Sequence, residues 1–177
     1  MHMATTTRWW TAADLADLPE DGCRYEALEG ELLVTPVPAF PHRVVTGTIV
    51  AMLAGYCRTN EIGVVVVPGV VRWRANELQP DIAVAPRPHA RSASAGSDEP
   101  VLVIEIHSPS TRGRDRSVKR AAYMSLGIPE YWQVDIEERV VLVTRTGRGD
   151  FRAHSVLDWQ PNPELPALEI DVPALFR

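Results

Sequence analysis

Apolar positions along the chain switch between two periods. Over 42–58 they fall at Val45, Ile49, Met52, Leu53 and Tyr56, the three-and-four spacing of one helical face. The proline-broken TPVPAFP (35–41) precedes this segment, and Asn60 and Gly63 follow it as stop signals. A shorter helix is predicted at 11–18, where Thr11 and Asp14 have the spacing of a capping pair. A third is predicted over 114–126, ended by Gly127 and Pro129. Elsewhere the pattern is β. RYEALEGELLV (24–34) reads as two short strands around a tight Glu29-Gly30 turn. IGVVVVPGVVRW (62–73) is β-rich, with a Pro-Gly bend or bulge. PDIAVAP (80–86) is a short strand, and VLVIEI (101–106) is a continuous apolar run, the mark of a strand buried on both faces. EYWQVD (130–135) and RVVLVTR (139–145) form two strands around Glu137-Glu138, FRAHSVL (151–157) a third, and the tail LPALEIDVPALF a strand fragment and a turn.

The resulting order, α-ββ-α-β-β-β-α-β-β-β, predicts an α/β (α+β, mixed-sheet) fold: a central sheet flanked by helices, with an N-terminal hairpin and helix, in one domain over 1–177. The stretch 86–100, PRPHARSASAGSDEP, reads as a mobile surface loop within that domain.

Composition narrows the function classes. With 45% apolar and 23% charged residues the chain suits a soluble globular domain. No apolar stretch approaches the roughly 20 residues of a membrane helix, and MHMATTTRWW lacks a signal-peptide pattern. A cytoplasmic protein with no membrane partner is the expectation. Cys23 and Cys57 form neither a disulfide framework nor a zinc cluster and are expected to be buried thiols. A net charge of −5 argues against a non-specific nucleic-acid coat. Only the segment from Arg112 to Arg120 is basic, which suits either an anionic ligand or a solvated helix face. Of the 18 basic residues, Lys119 is the single lysine.

The candidate chemistry centres on Glu105, a carboxylate inside an apolar strand. Such a group costs several kcal/mol unless it is paired, hydrogen-bonded or metal-bound. Asp81 follows Pro80 at the start of the preceding strand, and successive strands often pair. Two carboxylates on neighbouring strands could hold one Mg²⁺ (or Mn²⁺) with water. Lys119 lies on the helix after the Glu105 strand, in an i, i+4, i+8 stripe with Asp115 and Tyr123. The stripe reads as an ordinary Asp–Lys helix pair or as an amine aimed at the acids, since an ammonium is compact and can shift its pKa when desolvated. His107 shares a strand face with Glu105. It is a ligand, a proton carrier or a hydrogen-bonded spectator. His42, at the start of the long helix, and Glu26, in the first hairpin, are further possible neighbours.

PD at 80–81, VLVIEIHSPST at 101–111, D-x3-K-x3-Y at 115–123 and GIPEYWQVD at 127–135 together resemble the Uma-two family of restriction-endonuclease-like proteins, within the PD-(D/E)XK nuclease superfamily. YEALEGEL at 25–32, His42 and the tail LPALEIDVPALF are also similar to the family, so the resemblance covers nearly the whole chain. It implies a restriction-endonuclease-like fold with a divalent-metal site in which Asp81 and Glu105 are the metal-binding acids. In the superfamily pattern the lysine follows the second acid by two residues. That slot is His107 here, and the resemblance maps the lysine to Lys119.

Two functions follow as expectations. The first is a Mg²⁺- or Mn²⁺-dependent endonuclease acting on DNA, with Asp81, Glu105 and Lys119 catalytic and Arg112, Arg114, Arg116 and Arg120 on the phosphate backbone. The second is an inactive nuclease-fold module for DNA binding or dimeric interaction. A homodimer is expected under either, with strands at 131–143 supplying an edge.

Overall fold

The computed structural model describes residues 8–86, 100–107 and 114–177, with side chains in the last stretch from Ser117 onward. Capping and turn chemistry begin the chain as expected. Thr11 and Asp14 form a reciprocal capping box, but the turn they start, Ala12–Asp17, is a 3₁₀-helix. β1 (Arg24–Leu28) and β2 (Glu31–Thr35) pair antiparallel. Glu29 and Gly30 both take positive φ, 48° and 83°, the backbone of a two-residue hairpin turn whose twist matches the strands. α1 (Phe40–Thr59) starts with proline in its first turn and buries Val45, Ile49, Leu53 and Cys57.

Beyond α1, β3 (Gly63–Val66) and β4 (Val71–Trp73) are separated by Pro68-Gly69. They belong to different sheets, so the dipeptide is a crossing between sheets and not a bend within one. Gly69 is required there: a Cβ would lie 2.6 Å from that of Ala83. A three-residue strand that the pattern does not signal, β5 (Asn76–Leu78), pairs with β4 and β1. The chain rejoins the sheet of β3 at β6 (Ile82–Pro86), immediately after Asp81. The expected loop lies, over 87–99, outside the described residues. β7 (Leu102–His107), α2 (Arg114–Ser125), β8 (Glu130–Asp135), β9 (Val140–Arg145) and β10 (Gly149–Ala153) follow. FRAHSVL divides between β10 and β11 (Val156–Trp159), and β11 pairs with β12 (Leu168–Asp171) in a separate ribbon.

The main sheet has six strands in the order β10-β9-β8-β7-β6-β3, all antiparallel except the β7–β8 pair. A second sheet runs β2-β1-β5-β4. The mixed central sheet with flanking helices is therefore as the pattern predicts. The expected dimer edge at 131–143 is not an edge: β8 and β9 are interior strands, and β10 and β3 end the sheet. No helix among the described residues is long and apolar enough to cross a membrane. Of the two thiols Cys57 is buried, whereas Cys23 is only partly covered.

Every residue of β7 is buried, and its two faces meet different cores. Leu102, Ile104 and Ile106 join α1, Trp132 and Trp159 on one side. Val103 joins Leu28, Leu78, Tyr123 and Tyr131 on the other. Strand alternation assigns Glu105 to this second face, between the main sheet, the small sheet and α2.

Candidate active site

Five elements bring ionisable side chains to one point. Antiparallel register pairs Ile82 with Ile104, which sets Asp81 opposite Glu105 across β6 and β7. β1 contributes Arg24 and Glu26, two residues apart and so on one strand face. α2 contributes Lys119 and Tyr123 from adjacent turns, and the first turn of α1 contributes His42.

Glu105 is 4% exposed and Asp81 5%. The Lys119 Nζ lies 2.7 and 2.9 Å from the two carboxylate oxygens of Glu26 and 3.2 Å from Oε1 of Glu105. The Tyr123 hydroxyl donates to the same Oε1 at 2.9 Å, so both donors leave Oε2 outside their contacts. Asp81 is held differently. Its Oδ1 accepts from the Arg24 guanidinium at 2.6 Å. Its Oδ2 accepts from the backbone N–H of Ile106 at 2.7 Å and lies 3.2 Å from Nε2 of His42. Arg24 also donates to the Gln79 carbonyl, and the Gln79 N–H donates to Glu26 at 2.7 Å, which ties the β5–β6 connection to β1.

These surroundings push the two acids apart. Burial raises the Glu105 carboxyl to about 7, against the pull of the Lys119 ammonium and with the added repulsion of Asp81 and Glu26. Burial acts upward on Asp81 too, but the His42 hydrogen bond and the Arg24 charge outweigh it and hold that carboxyl at about 2. Burial, then the Glu105 charge, raises the Tyr123 phenol well above its ordinary value, so it stays a donor at neutral pH. A permanently ionised acid thus stands beside one poised near neutrality, the division expected where two carboxylates are to serve different roles.

The structure brings together Asp81, Glu105, Lys119, Glu26, His42 and Tyr123. His107 is buried further along the Glu105 face of β7, in register with Asp135 of β8. The side chains of Asp115, Arg114 and Arg116, and all of Arg112, lie outside the described residues. The Arg120 guanidinium lies at the surface, where it binds Asp150 at 2.6 and 2.8 Å and Thr144 at 3.2 Å. Arg24 and Gln79 are contributors that sequence reasoning missed. The signal for Arg24 was its i, i+2 relation to Glu26.

A family model, Uma2, described as "Putative restriction endonuclease", matches residues 12–173. The chain belongs to this family. Among solved structures, the Uma2 chain is similar to a "putative nuclease belonging to DUF820" from Anabaena variabilis, at 20% identity and a TM-score of 0.77, covering 94% of this chain and 97% of that one. At that identity the likeness is one of fold, and it extends over essentially the whole Uma2 domain. Curated proteins give no match.

Proposed function

We propose that this Uma2 protein is a divalent-metal-dependent endonuclease that hydrolyses DNA phosphodiester bonds. The observation that carries the proposal is the meeting of Asp81, Glu105 and Lys119, each nearly inaccessible to solvent, at the entry to β6, on the neighbouring β7 and on the helix that follows.

The donor set fits a hard divalent cation. Asp81 offers an ionised carboxylate at neutral pH, and Oε2 of Glu105 is not taken by Lys119 or Tyr123. The charge on Glu105 is unfavourable as it stands, which a cation would offset. Among the described residues no group of three or more metal-ligating side chains is assembled, so Asp81 and Glu105 would hold the ion with water completing its shell, the habit of Mg²⁺ and of Mn²⁺ in oxygen sites. Such an ion, when bound, lowers the pKa of a coordinated water and stabilises charge on the phosphate.

The chain's own residues supply the rest. Tyr123 fixes Oε1 of Glu105, so the carboxylate presents a defined edge. Arg24, His42 and the Ile106 N–H fix Asp81. Lys119 stands on the Glu105 side and carries a compact positive charge, suited to neutralising an anionic phosphate or orienting an attacking water.

The test is cleavage of plasmid and single-stranded DNA with Mg²⁺ or Mn²⁺ by wild type, Asp81→Asn, Glu105→Gln and Lys119→Met. Loss of cutting in all three variants is expected. Equal activity across the set overturns the proposal. The ion pair of Lys119 with Glu26 is what a purely structural network would also contain, and an inactive DNA-binding module is the alternative that wild-type inactivity would favour.

A further inference from the structure

A cavity of about 570 Å³ opens beside Asp81, a volume typical of ligand sites. Asp81, Arg24 and His42 line its inner end, and its walls are largely apolar, formed by Pro36, Pro38, Val50 and Val67. Its chemistry differs from that of a phosphate track. A phosphodiester is anionic, and apolar walls and the Asp81 carboxylate disfavour one inside, where the Arg24 guanidinium is already paired with Asp81 and Arg43 is the remaining cation of the lining. The part of a nucleotide that offers an uncharged, flat face to apolar walls is its base, and a base in a duplex is stacked and paired out of reach.

The rim points the same way. Arg43 and Gly47 of α1 line the cavity, and Phe40 stands one turn before Arg43 on the same helical stripe. Phe40 is 71% exposed, and Val37 and Val67 nearby are also exposed. A cation in the cavity lining and an exposed aromatic ring one helical turn from it are the two components that unpaired strands use, stacking for the base and charge for the backbone. Space is available: a Cβ on Gly47 would meet nothing within 4 Å.

We propose that this cavity receives one unpaired nucleobase of the DNA strand at Asp81, so that the substrate is single-stranded or locally unpaired DNA. The proposal rests on the nuclease function above for its substrate and names that substrate's class. Phe40 stacks on the entering base, and Arg43 holds an adjoining phosphate.

The experiment measures fluorescence anisotropy of a labelled oligonucleotide, single-stranded or duplexed, in EDTA so that no strand is cut. It compares wild type, Gly47→Trp and Phe40→Ala, and adds an abasic nucleotide scanned along the single strand. A parallel assay follows cutting with Mn²⁺. The expected result is preferential binding of the single strand, with a loss of about tenfold in each variant and little change on duplex. The abasic scan should reproduce that loss at one position in wild type and not in Gly47→Trp. If Gly47→Trp does not fold, Phe40→Ala and the abasic scan decide. Equal affinity for both DNA forms, no single-strand binding by wild type, or unchanged binding in both variants overturns the proposal. Cutting by wild type with unchanged variant binding removes the cavity's role and keeps the nuclease. Loss of variant binding with no cutting by wild type removes the nuclease and keeps the cavity.

Discussion

Glu105→Gln removes a buried negative charge and keeps the side chain's shape. Lys119 retains both oxygens of Glu26, at 2.7 and 2.9 Å, and the Tyr123 hydroxyl can donate to the new amide oxygen. The magnitude follows from the Glu105 carboxyl, held at about 7 in the fold against 4.5 in solvent. At about 1.4 kcal/mol per unit, the ionised carboxylate destabilises the metal-free fold by about 3 kcal/mol above pH 7. Between pH 4.5 and about 7 the native protein keeps a proton that the unfolded chain has released. Wild-type stability therefore falls as pH rises through that window, from this group, and is level above it. The variant lacks this fall. At pH 8 it should be more stable than wild type by about 3 kcal/mol, or about 6–12 °C in melting temperature for a domain of this size. Near pH 4.5 the two should coincide. Melts from pH 5 to 8 in a chelator measure the difference. Repeating them with Mn²⁺ or Mg²⁺ reverses the order of benefit: at ten times the dissociation constant the ion stabilises wild type by about 1.4 kcal/mol and leaves the variant unchanged. A variant less stable than wild type at pH 8 in chelator would refute the reasoning, because the Lys119 attraction would then exceed the cost of burial. No gain by wild type from either ion would remove the metal role.

Lys119→Met leaves Glu26 and Glu105 buried without their shared cation and should cost about 3–5 kcal/mol in urea unfolding at pH 8; a cost under about 1 kcal/mol, the range of surface pairs, would show that the network is solvated. Tyr123→Phe removes a donor to the ionised carboxylate. It should cost about 1–3 kcal/mol and extend the upper end of the Glu105 stability window to higher pH, since the ionised form loses support; an unchanged window would place that hydroxyl elsewhere in solution. Gly63→Ala puts a Cβ 2.1 Å from the Ala85 carbonyl oxygen across the β3–β6 ladder. It should lower stability by about 1–3 kcal/mol, as overpacking does, with faster hydrogen exchange in β3; protection equal to wild type would contradict this close approach.

The two acids were legible because each breaks a local rule. A glutamate in VLVIEI conflicts with its neighbours, and an aspartate after proline opens a strand that should pair with it. Lys119 and Tyr123 were legible as a helical stripe, and both reach Glu105 from adjacent turns. Arg24 and Gln79 were not, because their contacts depend on how the two sheets meet. Arg24 meets Asp81 across 57 residues, and Lys119 meets Glu26 across 93. The connection that creates those meetings runs through β4 and β5, three residues each and too short to show a period. The misplaced dimer edge has a related cause. Strand alternation says which face is buried and nothing about which neighbours flank a strand. In β8 the polar Glu130 and Asp135 are buried because each is locally satisfied, Glu130 by the Trp132 indole at 2.7 Å and Asp135 by the N–H groups of Glu137 and Glu138.

The lone lysine acquires a physical reason from this geometry. Seventeen of the 18 basic residues are arginine, and those whose contacts are described mostly pair at or near the surface, as Arg120 does with Asp150 and Arg152 with Glu138. Lys119 is 4% exposed. Its three N–H bonds have three carboxylate oxygens within 3.2 Å, two from Glu26 and one from Glu105, arranged around a single nitrogen. A guanidinium spreads five donors over a rigid planar fork and cannot gather acceptors around one point. The same site takes arginine where the acceptors are spread out: Arg24 spans the Asp81 carboxylate and the Gln79 carbonyl from two different nitrogens. The two cations of this Uma2 site are therefore not interchangeable, and each follows from the shape of the acceptors that the two sheets present to it.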